Sequence, residues 1–423
     1  MSGLGHGRQD RVHAGRDLGA ARRDAHPHLV LRVVATGGGR PHDGHPVLIH
    51  ESAVWRPSGP SREDVRMPRA REIGIEIGVL PTGPTNSVLD VPGVGVGHTT
   101  LHRDEAPPPQ GRGIARTGVT ALVIAEDAYD RPLATGGAVL NGAGELTGSV
   151  GAGEWGMLET PIYLTSTMQL GRVYDSACRI ELERDVRVAD GVVIPVVGEC
   201  DDSFLNDCRR MQVEHEDVVA AHAAALAARG ASAAPDEGAV GAGTGMSCLG
   251  FKGGIGTASR VTPEGHTVAV LLLTNFGERK RLTVDGHHVG RLLPEDPDPD
   301  RAEGSCIGIV VTDAPVQSAD CARLARRIGL GLARTGSTAH NGSGEIFLGV
   351  STTRRAQELA WEGGAVVSGP GLNDLFEGVV DATEEAVLNS MLTAPTTTGR
   401  DGNTSEGLDP AVVARLLSEH ARD

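Results

Sequence analysis

Leu293-Pro-Glu-Asp-Pro-Asp-Pro-Asp-Arg-Ala-Glu-Gly304-Ser305-Cys306-Ile-Gly-Ile-Val-Val-Thr312 changes character at a single bond. Up to Gly304 the stretch is acidic and rich in proline, which predicts an exposed, mobile loop. From Cys306 it is a short apolar run with β-branched residues, which predicts a buried strand. Ser305 stands at the mouth of that strand. One reading is an ordinary loop-to-strand junction. The other is a serine released by cutting the chain at Gly304-Ser305. A free α-amine titrates near about 7.7–8.0, so a single terminal residue would then hold both a nucleophile and a base.

The pattern around this stretch is dense in strands and turns. Thr120 to Ala125, Val192 to Val197, Thr267 to Thr274 and Ile307 to Thr312 have the length and composition of buried strands. One hairpin folds Ala258–Val261 onto Thr267–Leu273 through Pro263-Glu264-Gly265, and a second turns Leu282–Val284 through Asp285-Gly286. Helices are expected over Val213–Arg229, over Ala319–Leu332 with Ser318 as cap, over Asn373–Leu392, and over Asp409–His420 with Pro410 in its first turn. Hairpins beside long helices predict an α+β fold of mainly antiparallel sheets covered by helices, not a repeat of parallel Rossmann-type units.

Three further segments bear on Ser305. In Asn341-Gly-Ser343-Gly-Glu345 the hydroxyl and the carboxylate are two residues apart, so on a strand they share a face and can hold an ammonium or relay a proton. Asn275 follows the Thr267–Thr274 strand, and its amide is a candidate donor to an oxyanion. A turn residue and a glycine-rich turn are the plainer readings of both. Asn141-Gly-Ala-Gly-Glu145 repeats the shape 200 residues earlier, which suggests equivalent positions in two sheets. Glu199, Asp201 and Asp202 would form an acidic wall suited to a cationic amine, or a solvated acidic turn.

Composition excludes other classes. The 423 residues carry a net charge of -16 and only 3% aromatics, which argues against nucleic acid. No apolar stretch reaches the length of a membrane-spanning helix. Residues 1–66 hold ten Arg, seven Asp plus Glu and seven His, a net charge of +3 against -19 for the remainder. They are read as a disordered tail or an upstream translation artefact, with Met67 a natural start of a single domain over 67–423. Six scattered cysteines without a C-x-x-C pair read as the thiols of a cytoplasmic protein. His215 and His222 lack zinc-protease spacing, His98 and His102 lack a third ligand, and His287-His288 flanks a turn, so neither metal nor other cofactor is expected. Glycine, 59 residues in all, is concentrated in segments 137–156, 238–256 and 336–344, which points to close backbone packing.

The strings LNGAGELTG, GAGTGMSCLGFKGGIGTASRV, GSCIGIVVTDAPV and LARTGSTAHNGSGEIFLGVST occur in this order and together resemble the DmpA-type L-aminopeptidase/D-amidase-esterases and β-peptidyl aminopeptidases over about residues 72–400. The resemblance implies a four-layer α/β/β/α sandwich of the DmpA and ornithine acetyltransferase type, akin to N-terminal-nucleophile hydrolases. It implies cleavage at Gly304-Ser305 into 67–304 and 305–423, with Ser305 as nucleophile, Ser343 and Glu345 positioning its amine, and Asn275 as oxyanion donor. Glu199 matches an acid beside the substrate's amino group. Asp201 stands where the family usually has an aromatic ring. The expected substrates are small peptides, amides or esters with a free amine, and the expected assembly is a homo-oligomer. An endo-acting hydrolase of amino-acid oligomers, an acyltransferase of the ornithine acetyltransferase kind, and an uncleaved protein that binds small amines are the alternatives.

Overall fold

The structure, a computed structural model, describes residues 66–297, 304–356 and 366–420. Apart from Arg66, the tail read over 1–66 lies outside the described residues, as does 298–303 of the acidic loop.

In chain order the strands are β1 (Gly95–Asp104), β2 (Ile114–Val123), β3 (Leu133–Gly142), β4 (Met157–Leu158), β5 (Ile162–Ser166), β6 (Val196–Cys200), β7 (Ser247–Cys248), β8 (Phe251–Lys252), β9 (Ile255–Val261), β10 (Thr267–Asn275), β11 (Ser305–Thr312), β12 (Gly344–Arg355), β13 (Thr397–Thr398) and β14 (Thr404–Ser405). The helices are α1 (Ser149–Glu154), α2 (Leu170–Arg184), α3 (Val188–Gly191), α4 (His215–Ala227), α5 (Ser318–Thr335), α6 (Leu372–Leu392) and α7 (Pro410–His420). One sheet has the order β1-β2-β5-β6 and a second the order β4-β3-β12-β11-β10-β9. Helices α2 and α4 cover the first, and α5 and α6 the second.

The buried strands read as continuous apolar runs because both of their faces are covered. In β10, Val268, Val270 and Leu272 face the α5–α6 layer, while the alternate Ala269, Leu271 and Leu273 enter the core between the sheets. In β11, Ile307, Ile309 and Val311 join that central core, and Cys306 and Val310 turn the other way. A third core around Tyr163, Val173, Val197 and Ala221 lies between the first sheet and α2 and α4. Three apolar layers separate four layers of structure, so the chain is an α/β/β/α sandwich. Most neighbouring strands are antiparallel. The parallel pairs β5–β6 and β11–β12 have α2 and α5 respectively between them in the chain, as a crossover requires.

The α5 sequence places Leu324, Ile328 and Leu332 on its buried face, and Gly336 ends it at a φ of 112°. Along α6 a fully buried ion pair joins Glu385 Oε2 to Arg260 at 2.7 Å. Asn86 also donates to that carboxylate, which anchors the chain before β1 to this helix.

Several local expectations need correction. Ser318 is the first residue of α5 and not its cap, because its hydroxyl donates to the Gly156 carbonyl; Gln317 holds the cap position. The turn at Asp285-Gly286 closes a single bridge, Val284 to His287, with no strands beside it. The strand expected from Val192 begins only at Val196, since Val192 itself sits at a φ of 55°. The two Asn-Gly-x-Gly-Glu turns do not occupy separate sheets. They face each other across the antiparallel β3–β12 pair, with Gly344 opposite Gly142 and Glu345 opposite Asn141.

Candidate active site

Ser305 is the first residue of β11, and its neighbours follow from strand register. On one side its antiparallel partner is Asn275, the last residue of β10. On the other side β12 runs parallel, with Glu345 opposite Cys306. The Gly344 N–H donates to Ser305 Oγ at 3.2 Å, and Ser343 Oγ donates to Glu345 Oε1. Ser305, Ser343 and Glu345 are all buried. Gly344 has to be glycine because a Cβ there would meet the Ala143 carbonyl oxygen at 2.5 Å. The opposing Asn-Gly-Ala-Gly turn packs directly on it.

Gly304 lies against Asn275. A Cβ on Gly304 would fall 1.7 Å from the Asn275 carbonyl oxygen and 2.7 Å from its Nδ2, so no side chain fits at the residue before Ser305. The Asn275 amide is held at both ends. Its Oδ1 accepts from the Ser247 N–H at 2.8 Å, and its Nδ2 donates to the Asp201 carbonyl at 2.9 Å. An amide nitrogen carries two hydrogens, so one N–H remains beside Gly304.

Glu199, near the end of β6, comes to the same place from the other sheet. A Cβ built on Gly144 would lie 3.3 Å from Glu199 Oε1 and 3.8 Å from Ser305 Oγ, so the carboxylate and the hydroxyl flank one point. The Glu145 N–H donates to Glu199 Oε1 at 2.7 Å, and Thr167 Oγ1 donates to Oε2. Burial raises the Glu199 carboxyl above its ordinary range, with the Thr167 and Glu145 hydrogen bonds opposing the shift.

The acidic wall is therefore not a wall of three. The Asp201 carboxylate is exposed and closes a turn onto the N–H and hydroxyl of Ser203, while its carbonyl serves Asn275. Asp202 is wholly buried, accepts from Ser166 and Asn206, and is pushed up to about 6 by burial. It faces away from any amine in the cleft because β6 has ended and the chain turns inward at this residue.

A cleft of about 970 Å³ opens beside Gly304 and Asn275, lined also by Asp201, Phe204, Phe276 and His340. Sequence reasoning missed Ser247, which orients Asn275, and Thr167 and Glu145, which hold Glu199. Isolated serines and threonines carry no signal of such roles. Gly144 had one, because the turn that contains it repeats the shape of the Ser343 turn.

Sandwich and strand-end serine together define a class, and comparison with known proteins agrees. The profile described as peptidase family S58 matches residues 86–405. The chain is 37% identical over 378 residues to a beta-peptidyl aminopeptidase BapA of Sphingosinicella microcystinivorans, covering 84% of this chain and 93% of that one. Among solved structures it matches a Burkholderia beta-aminopeptidase at 37% identity and a TM-score of 0.73, over 83% of this chain and 98% of that one. It also matches the L-aminopeptidase D-Ala-esterase/amidase of Ochrobactrum anthropi, described as a variant of the Ntn hydrolase fold, at 32% identity and a TM-score of 0.75, over 84% of this chain and 99% of that one.

The chain belongs to peptidase family S58. It is accordingly a hydrolase of the aminopeptidase kind, and the reading as a non-enzymatic amine-binding protein falls away.

Proposed function

We propose that the chain is a self-processing serine aminopeptidase and amidase-esterase that releases N-terminal residues from small peptides, amides or esters. The observation that carries the proposal is the convergence on Ser305 of Asn275 from β10, of Ser343 from the turn before β12, of Glu345 from β12 itself, and of Glu199 from the opposite sheet.

In maturation Ser305 Oγ attacks the Gly304 carbonyl. The Gly304–Ser305 C–N bond breaks, the nitrogen takes up a proton, and an ester is left on Oγ. Water hydrolyses the ester to a Gly304 carboxylate and a free Ser305 amine. The lack of a side chain at Gly304 fits this step, since the scissile carbonyl has to lie against Asn275. In turnover the same hydroxyl forms an acyl-enzyme, the terminal amine accepts its proton and passes it to the leaving group, and the spare Asn275 N–H stabilises the oxyanion. The Ser343–Glu345 pair holds that amine in place.

Glu199 accounts for the exopeptidase character. Its carboxylate and Ser305 Oγ both lie within 3.8 Å of the point a Cβ on Gly144 would occupy, so an acid able to pair with a substrate's free amine stands close to the nucleophile. This spacing favours an aminopeptidase over an endo-acting hydrolase. Replacing Glu199 by Gln keeps the shape and removes the charge. For amino-acid amides KM is expected to rise about 10-fold or more, because a hydrogen bond to an ionised group contributes roughly 1.5–3 kcal/mol, while chain cleavage, which presents no substrate amine, proceeds as in wild type. Steady-state kinetics with a chromogenic amide checks this, and an unchanged KM removes Glu199 from amine recognition.

A further inference from the structure

Only two lysines occur in the chain, among 39 Lys plus Arg, and one of them is in an unusual place. Lys280 is exposed and pairs with Glu278. Lys252, in β8, is fully buried, and among the described residues no carboxylate pairs with it. Its Nζ donates instead to three backbone carbonyls, Gly243 at 3.0 Å, Met246 at 2.6 Å and Gly253 at 2.7 Å. Three donors converging from a point suit an ammonium and not the flat fork of arginine.

The Met246 carbonyl belongs to the same peptide unit as the Ser247 N–H, and that N–H donates to Asn275 Oδ1 at 2.8 Å. A continuous chain of hydrogen bonds thus runs from the Lys252 ammonium through the Met246–Ser247 peptide to the Asn275 amide, whose nitrogen lies beside Gly304. Each bond in such a chain polarises the next. We infer that Lys252 is a positioning residue of the oxyanion site, fixing the Asn275 amide and drawing electron density away from its nitrogen so that its spare N–H donates more strongly. This rests on the reading of Asn275 as the oxyanion donor. Burial pushes an ammonium at this position down, to about 7. The three carbonyls oppose that shift, because a neutral amine would turn a lone pair toward carbonyl oxygens. The ionisable groups that act on Lys252 are Cys248, itself pushed up to about 12, and Asp202.

Two measurements test the inference. In Lys252→Met, kcat and kcat/KM are expected to fall together by about 10-fold with KM unchanged, less than the ~10²- to 10³-fold of a direct donor. The rate of chain cleavage, followed by mass spectrometry over days, is then compared in wild type, Lys252→Met, Asn275→Ala and the double variant. Lys252→Met should add nothing once Asn275 is gone. A purely structural lysine would cost the same in both backgrounds, or act on KM, and either result overturns the inference. A wild-type rate for Asn275→Ala overturns the underlying reading of Asn275 instead. The second measurement does not depend on a variant that folds. With lysine labelled at Nζ by nitrogen-15, the wild-type protein should give two resonances, and the protected one should be an ammonium at pH 6. A neutral amine there contradicts the inference.

Discussion

Ser305→Ala is expected to leave the chain whole and without turnover. The substitution removes one oxygen. Ser305 is buried at the head of β11, and among the described residues its hydroxyl accepts one hydrogen bond, from the Gly344 N–H. Losing such a bond costs about 1 kcal/mol of stability, small beside the three apolar layers that hold the sandwich. The fold should therefore survive and the chemistry should not. Loss of a serine nucleophile lowers kcat on the order of 10⁶-fold, and here the same hydroxyl starts both maturation and turnover. An intact chain on a denaturing gel, together with a thermal transition lowered by no more than about 4 °C, checks the two halves of the expectation.

Asn275→Ala is expected to slow both reactions by about 10²- to 10³-fold, the cost of removing one oxyanion donor. It should also lower stability, because the Ser247 N–H and the Asp201 carbonyl lose their partner. A buried group left unpaired costs roughly 1–3 kcal/mol. Asn275→Asp keeps the acceptor for Ser247 but sets a buried carboxylate against the Asp201 carbonyl and beside the developing oxyanion, so its rate should fall at least as far as in the alanine variant and its stability further. Rates with a chromogenic amide and thermal transitions of both variants decide it.

Much of this was legible in the sequence because it depends on local pattern. The change of character at Ser305 and the hairpin ending at Asn275 follow from strand periodicity, whereas of the two expected strand positions Glu345 lies in β12 and Ser343 in the turn just before it. What stayed hidden depends on which strands become neighbours. The Asn141 and Asn341 turns look alike in sequence, yet only the β3–β12 pairing shows that they pack on each other beside Ser305. Glu199 and Asp202 are three residues apart in one acidic string. The first lies one residue before the end of β6 with its carboxylate held by Glu145 and Thr167, and the second turns into a buried polar network, a difference no composition reveals. Lys252 is equally silent in the sequence, because the carbonyls that surround its ammonium come from a glycine-rich backbone that carries no signal for them.

The central claim is that one bond, Gly304–Ser305, is broken to make the enzyme. Denaturing mass spectrometry of the active protein tests it most directly. A fragment of 119 residues running from Ser305 to Asp423, with a free amine on Ser305, is expected. Full activity in a preparation that contains only the uncut chain would contradict it.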